Sequence, residues 1–460
     1  MPAPEVVVVG AGFAGLSAAV ALAGHGARVR VLEARPGLGG RASAFTDPET
    51  GEVVDNGQHA LFGCYHETFR FLRTIGTAHL VQLDDRLEIE VIDRGGRHSR
   101  LRSMNLPAPF HLVGGLLRWT ALSWRDRAAA LAIGPALARA ARRHNRGEPI
   151  DPQEQHETVR AWLRRHRQTA RLCELLWEPL SVAALNQQMD VAAAAPFVRV
   201  LAQMFGGSRL DAAIGLPRVP LDALYATPAA QWLAGRGHEV RTGAVARIVC
   251  TSSAISHVEV RGERIEARAV VCAVPWHALE RTLDPAPATM AETIAAATAT
   301  RSSPIVTVNL WLDRPVTSVP FVGLPGRTMQ WIFDKRQAFG EAASHLSLVS
   351  SGAEAIVGRS NGELIDLALS EVREALAPAR HATVTRAVVV REKRATFSLA
   401  PGQPRRPQTV TSVEGLFLAG DWIDTGLPAT IESAVVSGYR AGDAAAALVS
   451  GRGDRRDGQG

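Results

Sequence analysis

Residues 53–65, VVDNGQHALFGCY, set four polar side chains around one glycine between two apolar runs. Asp55, His59 and Tyr65 are a carboxyl, an imidazole and a phenol, the groups that carry general-acid chemistry. Gln58 adds hydrogen-bonding capacity, and Gly57 lets another group come close to the backbone. Such a set could protonate an oxygen held beside it. Turn formation accounts for the same residues: Asp-Asn-Gly is good turn chemistry, and His59 needs only interior partners. Both readings fit the stretch taken alone, so its surroundings must decide.

The opening segment, EVVVVGAGFAGLSAAVALAGHGARVRVLEA, has a definite logic. The unbroken run Val6, Val7, Val8, Val9 predicts a buried parallel strand. Gly10, Ala11, Gly12, Phe13, Ala14 and Gly15 form a glycine-rich turn, followed by a helix from Leu16 to Ala23 and a second strand ending in Glu33. Gly10 permits the tight turn, Gly12 lets backbone approach a pyrophosphate, and Gly15 lets helix and strand pack closely. The N-terminus of the helix faces the negative charge, with Phe13 and Ala14 of the turn among the candidate cofactor contacts. Glu33 is placed to accept hydrogen bonds from an adenosine ribose. Ala34, Arg35, Gly39, Gly40 and Arg41 follow directly. Far downstream, GLFLAGDWIDTGLPATIESAVVSG predicts a strand, a turn carrying Gly420 and Asp421, and a helix from about Ala429 and Thr430.

The loop ARPGLGGRAS and the distant Gly-Asp pair resemble those of the amine oxidase and phytoene desaturase superfamily of FAD enzymes. The resemblance implies non-covalent FAD, since no cysteine or histidine matches an attachment site. It implies that the Gly-Gly-Arg loop runs beside the pyrophosphate, and that Asp421 reaches the ribityl and phosphate region. Ala429, Thr430 and Ser433 then begin a helix aimed at the flavin ring. Gly57, Gln58 and His59 pass beside that ring, and Val245, in a strand EVRTGAVARIV, meets adenine through its backbone. DNGQHALFGCY, TGLPATIESAVVSG, WEPLSVAALNQ and LPRVPLDALYATPAAQWLAGRGHEVR resemble a particular branch, the squalene-associated desaturases now understood as hydroxysqualene dehydroxylases. One departure is Gln187, where the branch implies a small hydroxyl residue after Asn186.

The implied fold is α/β: a discontinuous Rossmann-like FAD-binding domain (1–80, 211–285 and 405–460) with an α+β substrate domain (81–210 and 286–404). Strands are expected at about 87–93, 304–312, 329–333 and 345–350, and helices over about 110–145 and 156–206. The segment 107–143 carries Trp119, Trp124 and a run of arginines. It reads either as interfacial helices, with tryptophans at headgroup depth, or as a buried pair ending in a basic turn.

Bulk properties set the limits. The net charge is +6, from 51 Lys+Arg against 45 Asp+Glu, and the arginines are scattered, which disfavours nucleic acid as a partner. Lys335 and Lys393 are the only lysines, an arginine bias that GC-rich bacterial coding explains. Four cysteines show neither metal-ligand spacing nor a disulfide framework, as expected in a reducing cytosol, and no metal is expected. No signal peptide and no spanning helix is expected, so the chain reads as cytoplasmic, with peripheral contact at the inner face of the membrane. The last residues, GRGDRRDGQG, are polar and expected to fray.

The branch resemblance implies reduction of hydroxysqualene to squalene by reduced FAD, in bacterial squalene and hopanoid biosynthesis. The substrate would be a long-chain isoprenoid handed over from squalene-pathway synthases. Such a reaction needs a dry tunnel, a flavin, and an acid at the leaving oxygen. His59, Asp55 and Tyr65 are candidate acids, with Glu432 and Asp424 as rivals. An oxidative desaturase of the phytoene type, an amine or protoporphyrinogen oxidase, and a non-catalytic prenyl-lipid escort remain alternatives. The nucleotide motifs count against the escort, which would lack bound flavin.

Overall fold

The computed structural model describes residues 5–146, 148 and 151–451. Its cofactor-side element is a parallel sheet in the order Glu239–Arg241, Val29–Leu32, Val6–Val9, Ala269–Cys272, Leu416–Leu418. Val6–Val9 and Ala269–Cys272 are buried along their whole length. Unbroken branched-chain runs do this when both faces of a parallel sheet are covered. The sheet gathers strands from the beginning, middle and end of the chain. The polar tail beyond Gly451 lies outside the described residues.

Two helices share one face of this sheet, Phe13–Gly24 and Ile431–Val449. Glycines set their separation. A Cβ on Gly438 would stand 2.3 Å from the carbonyl oxygen of Ala14, and one on Gly442 2.9 Å from that of Ala18. Ser17 fills the remaining gap, its hydroxyl donating to the Ala14 carbonyl at 3.1 Å.

The single strand expected around Val245 is two. Glu239–Arg241 joins the parallel sheet, whereas Ala246–Cys250 opens a small antiparallel sheet with Ile255–Val260 and Glu263–Ile265. Gly243 breaks them apart by taking φ +63°, a left-handed conformation that ends a strand.

The other large sheet, on the side expected to hold substrate, has seven strands in the order Val384–Phe397, Ser302–Leu312, Ser344–Ser351, Trp331–Asp334, Phe321–Gly323, Glu88–Ile92, His98–Arg102. The four strands expected from branched and aromatic runs are among these. Val384–Phe397 was not expected, because its short apolar run, Ala387 to Val390, is followed by the charged run Arg391 to Arg394. Helices Phe110–Arg118, Trp124–Ala132, Gly134–Asn145, Val159–Arg165, Glu178–Leu185 and Ala194–Gly206 cover one end of the sheet. The long helical runs are interrupted where caps intervene. Ser123 and Asp126 form a capping box that starts a new helix, and Asn186 stops another at φ 52°.

Gly438→Val should lower stability by about 1–3 kcal/mol through overpacking, read as a shifted denaturant midpoint. Gly24→Ala, with nothing within 4 Å of its added Cβ, should not. Equal stability of both variants would contradict the close-packing account.

Candidate functional site

At the carboxyl ends of the parallel strands, the glycine-rich turn is built as the sequence suggests. A Cβ on Gly15 would stand 1.9 Å from the Gly10 carbonyl oxygen, so helix and turn are in contact. Over Gly12 the nearest group to an added Cβ is the Gly39 carbonyl at 3.9 Å, which leaves room for a ligand. Gly12 also starts the helix without any side-chain cap, so the first-turn amides are left to an anion. Phe13 contributes only backbone there, since its ring is stacked on Tyr225 at 3.5 Å in the core. The buried Glu33 carboxylate accepts from the Ala11 amide at 2.8 Å and the Arg35 amide at 2.9 Å. Ala34 is exposed next to it. Ala244 donates to the Glu33 carbonyl at 2.8 Å, which brings the exposed Val245 beside the same acid. These features fit an adenosine diphosphate moiety.

The two distant motifs meet. Arg41 donates to Asp421 through Nη1 at 3.1 Å and to the Ala395 carbonyl at 2.8 Å. Both terminal nitrogens of the Arg41 fork lie on the buried Asp421 carboxylate. Gly420 takes φ +144°, open only to glycine, and its amide donates to Ser437 Oγ at 2.8 Å. Ser433 was expected to face cofactor. Instead it is fully buried, with its hydroxyl on Thr425 at 2.7 Å and on the Asp421 carbonyl. Thr430 caps the helix by accepting from the Ser433 amide at 3.1 Å, with Ala429 just before it.

The 53–65 stretch lies between this cleft and the substrate side, and its polar residues have distinct duties. Asp55 accepts from Lys335 Nζ at 2.8 Å and from the Leu221 amide at 3.2 Å, and both charged side chains are buried. With one oxygen on Lys335 and the other on the Leu221 amide, the Asp55 carboxylate clamps the loop. Glu432 accepts from the amides of Glu67 and Thr68 and from the Thr68 hydroxyl, at 2.7–3.0 Å. It caps helix His66–Thr74 from a distance, although burial raises its pKa. Asp424 pairs with Arg406 at 3.2 Å near the surface. Three of the five candidate acids are thus occupied in holding structure.

His59 and Tyr65 remain. His59 Nδ1 lies 2.8 Å from the Gly57 carbonyl, so that nitrogen carries the proton. Burial holds the imidazole below its ordinary range, against the pull of Asp55. Tyr65 lines a cavity, where burial drives its phenol upward and Thr430 opposes the shift. Tyr65 therefore stays a protonated donor. Asn56, between clamp and histidine, donates to the Arg41 carbonyl at 3.0 Å, fixing the loop against the glycine-rich cradle.

The cavity is about 590 Å³, a ligand-sized volume, and nearly all its walls are apolar. Gln58, Phe62 and Tyr65 form one part of the lining. Phe321 and Trp331 line the sheet side, and Trp177, Leu116, Leu131 and Arg142 the helical side. Trp119, for which both a membrane surface and a buried core were open, is 1% exposed and lines the cavity, its indole donating to Ser99 at 3.1 Å. It follows the last turn of helix Phe110–Arg118 and so points inward. Trp124 is 76% exposed, near Phe110 and Leu131 in sequence, which are also exposed.

A family profile described as flavin containing amine oxidoreductase matches residues 13–446. The chain belongs to that family. Within it, the chain groups with the hydroxysqualene dehydroxylases. It is 31% identical over 447 residues to the one from Rhodopseudomonas palustris, covering 95% of this chain and 97% of that protein. It is 28% identical to the one from Zymomonas mobilis, covering 95% and 98%. Cyclohexylamine oxidase from Brevibacterium oxydans shares the fold at a TM-score of 0.71 and 16% identity, covering 98% of this chain and 100% of that one. This flavin-dependent oxidoreductase thus has its resemblance in fold and family confirmed.

Lys335 escaped the sequence reading. The only signal was its rarity, since a lysine in an arginine-biased chain has a reason to be there. Gln187 finds its reason too. Its side chain donates to Ser398 at 2.9 Å and accepts from the Leu399 amide at 2.7 Å, tying the helical cover to the sheet.

Glu33→Ala should weaken FAD binding by about 1.5–3 kcal/mol, the scale of a hydrogen bond to a charged group, as measured by flavin fluorescence titration. Unchanged affinity would remove Glu33 from the ribose site. Lys335→Met should cost about 3–5 kcal/mol of stability by leaving Asp55 buried without a partner. Adding Asp55→Leu should recover part of that loss, and a second change that deepens the loss would contradict the clamp.

Proposed function

We propose that the protein converts hydroxysqualene to squalene, a reductive dehydroxylation at non-covalently bound FAD. One observation carries the reading: an apolar cavity of about 590 Å³ reaches the polar 53–65 loop, with Gln58 and Tyr65 in its wall. A long hydrocarbon fits such walls, and a single hydroxyl finds polar partners only where the loop enters. The names of the relatives, hydroxysqualene dehydroxylase, support the same substrate. Non-covalent attachment agrees with Cys64, whose thiol burial pushes up to about 12, far from a reactive thiolate.

Bound reduced flavin supplies the hydride equivalent. The protein's share is to hold, dry and protonate. In the balanced reaction the C–O bond breaks, the oxygen leaves as water with one added proton, and the carbon takes the hydride. The alcohol is allylic, so charge developing on carbon is delocalised as the bond opens. Tyr65 stands in the cavity wall as the O–H donor to the leaving oxygen. The Trp177, Phe321 and Trp331 wall excludes water, which would otherwise capture the carbon and restore the alcohol. His59, held neutral with its proton on the Gly57 carbonyl, keeps the loop in shape.

No described helix is long and apolar enough to cross a membrane. We place the protein in the cytoplasm, resting on the inner membrane face through the helices around 107–143. Leu131, Gly134 and Arg142 are exposed and also line the cavity, so its mouth opens among them. A substrate made by squalene-pathway synthases could enter there from lipid.

Tyr65→Phe should slow turnover by about 10²–10⁴-fold, the span for a lost general acid, while His59→Asn should change it far less. Equal losses would move the donor role to His59. With the flavin reduced and the reaction run in heavy water, squalene should carry deuterium at the former carbinol carbon. Unlabelled squalene would exclude hydride delivery, and polyene formation without any alcohol would place the protein among oxidative desaturases. Phe110→Ser with Trp124→Ser should lower binding to anionic liposomes while the protein stays folded and yellow. Unchanged binding would contradict the membrane placement.

A further inference from the structure

Three buried polar atoms in the cavity wall have no partner among the described residues: Gln58 Oε1, Ser103 Oγ and Trp331 Nε1. Buried polar groups are nearly always satisfied, so each such atom calls for a ligand or a water. They are not equivalent. Trp331 belongs to the sheet wall and Ser103 follows strand His98–Arg102 on the far side. Gln58 alone lies on the loop that is tied to the cofactor cradle, next to Asn56 on the Arg41 carbonyl and His59 on Gly57.

We infer that Gln58 recognises the substrate's hydroxyl, its amide oxygen accepting the carbinol O–H at the cofactor end of the cavity. This rests on the dehydroxylase reading and deepens it. An alcohol held in a dry site needs one acceptor for its hydrogen and one donor for its oxygen. Gln58 Oε1, buried and unpartnered, provides the first and the Tyr65 phenol the second, and both residues line the same cavity. The choice of an amide has a chemical reason. As the leaving oxygen gains a proton it becomes a stronger donor, so an acceptor on it strengthens as charge develops. A carboxylate there would remove the proton that departure requires, whereas an amide cannot. A hydrocarbon product, with no hydroxyl, leaves Gln58 unsatisfied again, which favours its release.

The test uses protein loaded with oxidised FAD, so that nothing turns over. Wild type, Gln58→Met and Trp331→Phe are titrated with hydroxysqualene and with squalene, following the flavin absorbance change. Wild type should bind the alcohol more tightly than the hydrocarbon. Gln58→Met should lose about tenfold or more of that preference, with squalene affinity and flavin content unchanged, while Trp331→Phe should keep it. If Gln58→Met does not fold, Gln58→Asn, which shortens the reach of the amide, should show the same loss. An intact preference in the Gln58 variant overturns the inference, as does loss of FAD, which would make Gln58 a cofactor residue. A wild type that binds neither ligand, with its flavin in place, instead overturns the dehydroxylase reading and this inference with it.

Discussion

The junction between the two halves of the site depends on one buried ion pair, Lys335 with Asp55. Removing both charges from water costs several kcal/mol per ion, and only good mutual geometry offsets it. Here the pair is direct, at 2.8 Å. Asp55 takes a second bond from the Leu221 amide, and Lys335 sits 4.0 Å from the centre of the Phe339 ring. Lys335 comes from the substrate-side sheet region and Asp55 from the hairpin beside the cofactor cradle. Each half therefore holds the other, and the loop between Asp55 and Tyr65 has little freedom to shift.

That rigidity separates two environments that would interfere with one another. The cofactor cleft needs backbone amides, fixed charges and glycines so that a dinucleotide can lie close. The cavity needs the opposite, an apolar wall without water. Arg41 and Asp421 pair with each other, so neither side chain is a free charge. Glu432, turned to cap helix His66–Thr74, is likewise occupied. What faces the hydrocarbon space from the loop is a phenol and an amide, the mildest polar groups available.

The sequence made the cofactor half legible because its constraints are local. A tight turn, an uncapped helix start and a strand-end acid leave marks at fixed spacings, so Gly10, Gly12, Gly15 and Glu33 could be read directly. The link from Arg41 to Asp421 spans most of the chain and was visible only as two motifs, not as a pair. Roles in the 53–65 stretch were not legible, because an acid and a clamp use the same residue types. Only the position of Lys335, far along the chain, tells Asp55 from a proton donor. Trp119 and Trp124 show the same limit: both lie in an apolar run, and the end of one helix turns the first inward. Cavity walls such as Trp177 and Trp331 look like ordinary core until their neighbours leave a space.

The direction of electron flow is the claim on which the reading of that cavity depends. Anaerobic rapid mixing of photoreduced, FAD-loaded protein with hydroxysqualene tests it most directly. The account predicts that the oxidised flavin absorbance returns in step with squalene formation. Flavin that stays reduced in the presence of the alcohol, yet is reduced from the oxidised state by a more saturated isoprenoid, would contradict it.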